Sequence, residues 1–242
     1  MNESELKHYC KSNHNITENG ELLLYNTIKD NISVLFDVGA ANGYYFLQNK
    51  NTEYHLFEPN KEYCGSYLNI LKNLNFKYIL NNFGLGDKNE RLHYYAKSNS
   101  VFLNEHHMRK YGETDPTYII DIKRADDYID QNKITNIDFM KIDVEGYEYQ
   151  VLKGLGRYIS LPKLIQFETA LTPINPKNKN VNTQINVYKS EEVVNLLSEN
   201  EYDFYLICAN GLIKLDKYYN FLSPNILAVK PEYTHLIKKI IF

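Results

Sequence analysis

The chain contains no tryptophan and only three cysteines, and no window approaches the ~18 consecutive apolar residues of a membrane span. Cys10, Cys64 and Cys208 lie far apart and are odd in number, so they form neither a CxxC pair nor a disulfide framework. They read as reduced thiols of a cytoplasmic protein. The N-terminus, MNESELKHYC, is polar and lacks the apolar core of a signal peptide. An excess of one charge is missing too. The 27 Lys and Arg stand against 30 Asp and Glu, interleaved to a formal net charge of -3, so no basic face for nucleic acid is expected. An Asn/Asp-Pro-Pro-Tyr/Phe base-flipping motif is absent. So are an H-E-x-x-H helix and an EF-hand loop, which leaves no dedicated metal set, although a divalent cation on carboxylates stays possible.

What is present is an ordinary globular composition, 43% hydrophobic and 24% charged over 242 residues, enough for one sizeable core. Short apolar runs alternate with helical patterns, which predicts a parallel sheet covered on both faces. The runs are Val34–Val38, Tyr54–Phe57, Lys77–Leu80, Phe139–Asp143 and Leu164–Phe167, with Leu92–Tyr95 and Tyr118–Ile122 as added strands. Helices are expected after Gly43, over Tyr63–Leu74, Tyr147–Leu155 and Val187–Ser198. Tyr202–Cys208, Leu212–Leu215 and Asn225–Val229 complete the sheet with an antiparallel edge. The tail His235–Phe242 is too short to anchor in a lipid bilayer and is expected to pack down. The expectation is therefore a Rossmann-like, doubly wound α/β fold, a mostly parallel sheet of about seven strands in one domain, 1–242. Residues 1–31 form an N-terminal helical segment, and 98–117 and 172–186 are substrate loops.

Asp37-Val-Gly-Ala-Ala-Asn-Gly43 sits where a strand hands over to a helix, and Gly39 and Gly43 let the backbone turn tightly against a ligand. Glu58 ends the next strand, 21 positions after Asp37, where an acid accepts hydrogen bonds from both ribose hydroxyls. A pyrophosphate wants G-x-G-x-x-G and no nearby acid. Here Ala41 replaces the second glycine, and Asp37 suits the ammonium of a methionine moiety. The nucleotide expected is S-adenosylmethionine rather than NAD, which leaves a nicotinamide-dependent oxidoreductase as the alternative.

With these residues in place, the chain resembles FkbM-type methyltransferases from Leu35 to about Val229. The pieces that carry the resemblance are Asp37-Val-Gly-Ala40 with Gly43, Phe57-Glu-Pro59, Asn82-Phe-Gly-Leu-Gly-Asp87, Asp126-Asp127, Lys141-Ile-Asp-Val-Glu-Gly-Tyr-Glu148 and the strand ending in Glu168. The resemblance implies a class I methyltransferase fold and O-methylation of natural products and glycans, with S-adenosylhomocysteine as product. It implies that Asp37, Gly39, Ala40 and Gly43 hold the methionine end, Glu58 the ribose and Asn82 the adenine side. The chain departs from the family at Ala41, where Asn is usual, and at Gly84, where Ala is.

Methyl transfer to an alcohol needs in-line approach and a group to take the hydroxyl proton. Asp143, Glu145 and Glu168 lie at the carboxyl ends of two strands, where ligands bind in open α/β sheets. Asp143 is the first choice to orient the hydroxyl, accept its proton or touch the cofactor. Glu145 reads as a helix cap. His107, beside His106 in 98–117, has the pKa of a base near neutrality. The acceptor expected is a small hydroxylated molecule such as a sugar. A fold that binds the cofactor without chemistry is a further alternative, and oligomeric state has no signature here.

Overall fold

The computed structural model describes residues 15–16, 18–41, 46–94, 118–168, 190–216 and 225–242. Eleven strands occur among them: β1 (Val34–Val38), β2 (Glu53–Phe57), β3 (Lys77–Asn81), β4 (Gly84–Gly86), β5 (Glu90–Tyr94), β6 (Tyr118–Arg124), β7 (Ile137–Ile142), β8 (Pro162–Glu168), β9 (Asp203–Cys208), β10 (Gly211–Leu215) and β11 (Asn225–Val229). The helices are α1 (Glu21–Ile28), α2 (Lys61–Leu71), α3 (Ala125–Gln131), α4 (Glu148–Gly154) and α5 (Ser190–Glu199).

Eight strands form the main sheet in the order β10-β9-β11-β8-β7-β1-β2-β3. The five from β8 to β3 run parallel, and β11 is antiparallel to both β8 and β9, as is β10 to β9. The expected architecture is therefore present, with one strand more than anticipated. The two added strands do not join this sheet. β5 and β6 pair antiparallel in a separate three-stranded sheet, with β4 parallel to β6.

Side chains alternate across each strand, so an apolar run buried on both faces feeds two cores. Phe36, Met140 and Ile165 face α3, α4 and α5, through Tyr128, Ile129, Val151, Leu152, Val193 and Leu197. Leu35, Phe139 and Leu164 face the opposite way, towards Leu24, Tyr25 and Ile28 of α1 and Tyr67 and Leu71 of α2. The tail packs on this second face, as expected. Ile237 is fully buried, and Phe242 N donates to Leu212 O. α2 begins two residues earlier than its periodicity indicates, because the Asn60 side chain caps it by accepting from Glu62 N. The helix expected after Gly43 is missing from the described part of that link: residues 46–52 contain no α-helix. No helix among the described residues is long and apolar enough to cross a membrane.

Candidate active site

The five parallel strands end along one edge, where ligands bind in open α/β sheets. Backbone bonds tie those ends together. Gly39 N and Ala40 N both donate to Phe57 O at 3.0 Å, Glu58 N to Asn81 O at 2.9 Å, and Asp143 N to Val38 O at 2.9 Å. Only glycine fits at 39. Its φ is +86°, and a Cβ there would lie 1.9 Å from the Asp143 carbonyl oxygen. Ala41 is also left-handed, at φ 35°, and its N–H donates to Glu58 Oε2 at 2.9 Å. The other Glu58 oxygen accepts from Asn60 N at 2.7 Å. Burial pushes the Glu58 carboxyl up to about 7, against the pull of these two amides. Asn82 fastens the same loop, its Nδ2 donating to Glu58 O and Pro59 O.

Asp37 is 1% exposed, and neither of its carboxylate oxygens has a hydrogen-bond partner among the described residues. Burial pushes it up to about 6 despite the charge of Lys141. A buried carboxylate left this way is costly unless a cation or donor reaches it. Lys141 sits beside it in register, between Asp37 on β1 and Gln166 on β8. Its ammonium is buried and donates to Asp143 Oδ2 at 2.9 Å. Burial alone would favour the neutral amine. The charges of Asp143, Asp37 and Glu21 outweigh it and hold Lys141 well above its ordinary pKa.

Asp143, Glu145 and Glu168 each bring a carboxylate oxygen within 4.8 Å of the others. Three carboxylates so close cannot all ionise without a counter-charge. Burial first, then Asp143, Glu145 and Glu21, push Glu168 up to about 8. Among the described residues this is where a cation, metal or organic, would find compensation. Glu145 departs from expectation. Glu148 does the capping instead, its Oε1 accepting from Val144 N and Gly146 N, while Glu145 takes a left-handed φ of 55° and joins the acidic group.

The structure thus gathers Asp37, Gly39, Ala40, Glu58, Asn82, Asp143 and Glu168 at one edge. Gly43, His106 and His107 lie outside the described residues, as do all of 98–117 and all of 172–186. Sequence reasoning passed over Lys141 and Glu21. The first had a signal, since two-residue alternation puts Lys141 of β7 and Asp143, one residue past its end, on the same side. Glu21 had none. Its carboxylate accepts from Asn19 Nδ2, Gln166 Nε2 and Asn225 Nδ2, contacts that only the fold brings together. Asp126 and Asp127 serve structure instead, holding the Arg124 guanidinium and Asn89. A cavity of about 430 Å³ over the small sheet, lined by Asn89, Glu90, Arg91, Asp121 and Lys123 among others, shares none of the strand-end residues.

Comparison with known proteins adds a family. A methyltransferase FkbM from Methylobacillus flagellatus KT has a similar structure, at TM-score 0.49 and 17% identity, covering 81% of this chain and 43% of that one. This chain therefore spans less than half the length of that relative. A SAM dependent methyltransferase from Aquifex aeolicus is similar at TM-score 0.44 and 12% identity, with 94% and 98% covered. The 16S rRNA methylase ArmA is similar at 0.39 and 11%, with 88% and 82% covered. No curated protein matches. The sequence matches the model of the methyltransferase FkbM domain over residues 37–204, more than half of the chain and the whole of the strand-end site from Asp37 to Glu168. The chain belongs to the FkbM methyltransferase domain family.

Proposed function

We propose that this chain is an S-adenosylmethionine-dependent O-methyltransferase acting on a hydroxyl of a small molecule, a sugar or glycan. The observation that carries the reading is Asp37: a buried carboxylate without a hydrogen-bond partner among the described residues, beside a turn only glycine can make, with Glu58 across it. A methionine ammonium supplies the missing donor and adds positive charge beside that of Lys141, whereas a pyrophosphate would be repelled. S-adenosylmethionine, when bound, supplies an electrophilic methyl group on sulfonium. Asp37 faces the methionine end with Gly39, Ala40 and, by the same reading, Gly43. Glu58 accepts the ribose hydroxyls on the lone pairs its two amide donors leave free. Asn82 borders the adenine side.

Asp143 orients the acceptor hydroxyl or takes its proton, held in place by Lys141. Glu168, pushed up to about 8, keeps its proton at neutral pH and donates a hydrogen bond to the acceptor. His107 is the alternative base. The fold does not choose the acceptor; the loops 98–117 and 172–186 of the single domain 1–242 do. The clustered carboxylates at this edge favour a neutral polyhydroxylated acceptor over a polyanion.

The test is methyl transfer from radiolabelled S-adenosylmethionine to mono- and oligosaccharides, with RNA as a parallel arm and a chelator added to each. Label in carbohydrate, lost in Asp143→Asn, is expected. Label in RNA alone would overturn the acceptor class, and activity destroyed by the chelator would give the acidic group a metal.

A further inference from the structure

The link between β1 and β2 carries the turn of the cofactor site, yet its described residues 46–52 form no helix that would brace it. The bracing comes from the N-terminal helix. The Tyr25 hydroxyl of α1 donates to the Phe46 carbonyl, and the two rings meet edge to face at 5.1 Å. Tyr54, whose hydroxyl lies 3.3 Å from that of Tyr25, bonds both N and O of Asn49 at 3.0 Å. Asn49 Nδ2 donates to Lys29 O just beyond α1, and Lys29 Nζ donates to Gln48 Oε1. Tyr25 and Tyr54 are both fully buried. Phe46 in turn lies under the Lys141 ammonium, 5.8 Å from its ring centroid.

The other end of α1 reaches the opposite flank of the site. Gly20 takes φ +99°, and a Cβ on it would lie 2.1 Å from the Cys208 carbonyl oxygen, so the helix starts hard against β9. That seating delivers Glu21 to Gln166 of β8 and Asn225 of β11, two residues from and directly opposite Glu168 respectively. α1 precedes the family-matched region, which begins at residue 37.

We propose that α1 is a working part of the cofactor site, with the Tyr25 hydroxyl as the positioning group that fixes the β1–β2 link behind the Gly39–Ala41 turn. The inference rests on the cofactor reading above. Without the phenol, the Phe46 carbonyl loses its donor and the link is free to shift. Cofactor binding must then order a turn that the native protein presents already formed.

The test is titration calorimetry with S-adenosylhomocysteine on the full chain, Tyr25→Phe, Asn49→Ala and Tyr202→Phe. Tyr202 is the control, because its buried hydroxyl bonds Ile159 O and Pro162 O at the opposite end of the sheet. Tyr25→Phe and Tyr202→Phe are expected to melt a few degrees lower by similar amounts. Only Tyr25→Phe is expected to bind S-adenosylhomocysteine roughly tenfold more weakly. Asn49→Ala, which loosens the link from its exposed side, is expected to move the same way by less. Native affinity in Tyr25→Phe, or an equal loss in Tyr202→Phe, would overturn the role of α1. A native chain that binds no S-adenosylhomocysteine would instead overturn the cofactor reading on which that role rests.

Discussion

Two buried aspartates on neighbouring strands of one sheet stand in opposite states. Asp138, near the start of β7, is 4% exposed, and Asp37, near the end of β1, is 1% exposed. Asp138 accepts from Ser33 N at 2.7 Å, from the Ser33 hydroxyl and from Val34 N at 3.0 Å, and it holds the Lys163 ammonium. Burial would raise it, but these partners more than reverse that and hold its carboxyl at about 2. Asp37 has no such set and is pushed up to about 6 by burial. The amino end gives its buried aspartate a full set of donors; the carboxyl end, among the described residues, gives Asp37 only the nearby charge of Lys141 and no hydrogen bond. A protein keeps such a deficit where a ligand completes it.

The comparison breaks most readily by mutation. Asp138→Ala strands the Lys163 charge and three donors, and removing one partner of a buried pair costs about 3–5 kcal/mol. At this size that lowers the melting temperature by roughly 10 °C. Asp37→Asn removes a carboxylate with no hydrogen-bond partner among the described residues and leaves Lys141 bonded to Asp143, so its melting temperature should fall far less, while affinity for S-adenosylhomocysteine falls about tenfold or more. Melting and calorimetry on both variants settle the contrast, which collapses should Asp37→Asn lose as much stability as Asp138→Ala.

A pH series sharpens it. Glu168 is raised from an ordinary 4.5 to about 8, so between those values the folded chain binds a proton that the unfolded chain has lost. Its contribution to stability therefore falls as pH rises from about 4.5 to 8 and is flat above. Asp138, depressed to about 2, contributes stability that is present above 3.8 and lost only as pH falls below it. Glu168→Gln should flatten the melting curve between pH 5 and 8 by about 2–4 °C, the size expected of roughly 1 kcal/mol. An unchanged slope would mean that this carboxyl is not held protonated.

Much of this was legible in the chain. The short continuous apolar runs placed the parallel strands nearly to the residue, because a strand buried on both faces has little choice of composition. The turn at Gly39 and the acid at Glu58 were readable because each answers a local geometric need. What escaped is long-range. Nothing near Glu21 announces that Gln166 and Asn225 will close on it. Glu145 reads as the helix cap in the sequence, and only the fold shows it at a left-handed φ with Glu148 accepting from the loop amides instead. The described residues 46–52 hold no α-helix, and α1 packs on that side of the core, against Phe46 and Leu47.

The smallest effect concerns Ala41, held at a left-handed φ of 35°. Asn tolerates the left-handed region better than Ala, so Ala41→Asn should raise stability by about 0.5 kcal/mol, seen as 1–2 °C in melting, with cofactor affinity kept. A lower melting temperature would show that the backbone at 41 is not set as described.

The most direct test of the central claim, that the strand-end carboxylates form an S-adenosylmethionine site, is calorimetry of the native chain and Glu58→Ala with S-adenosylhomocysteine and with NAD. The account predicts binding of the adenosyl compound by the native chain, its loss by about tenfold or more in Glu58→Ala, and no heat from NAD. Binding of NAD in place of the adenosyl compound, or unchanged affinity in the variant, would contradict it.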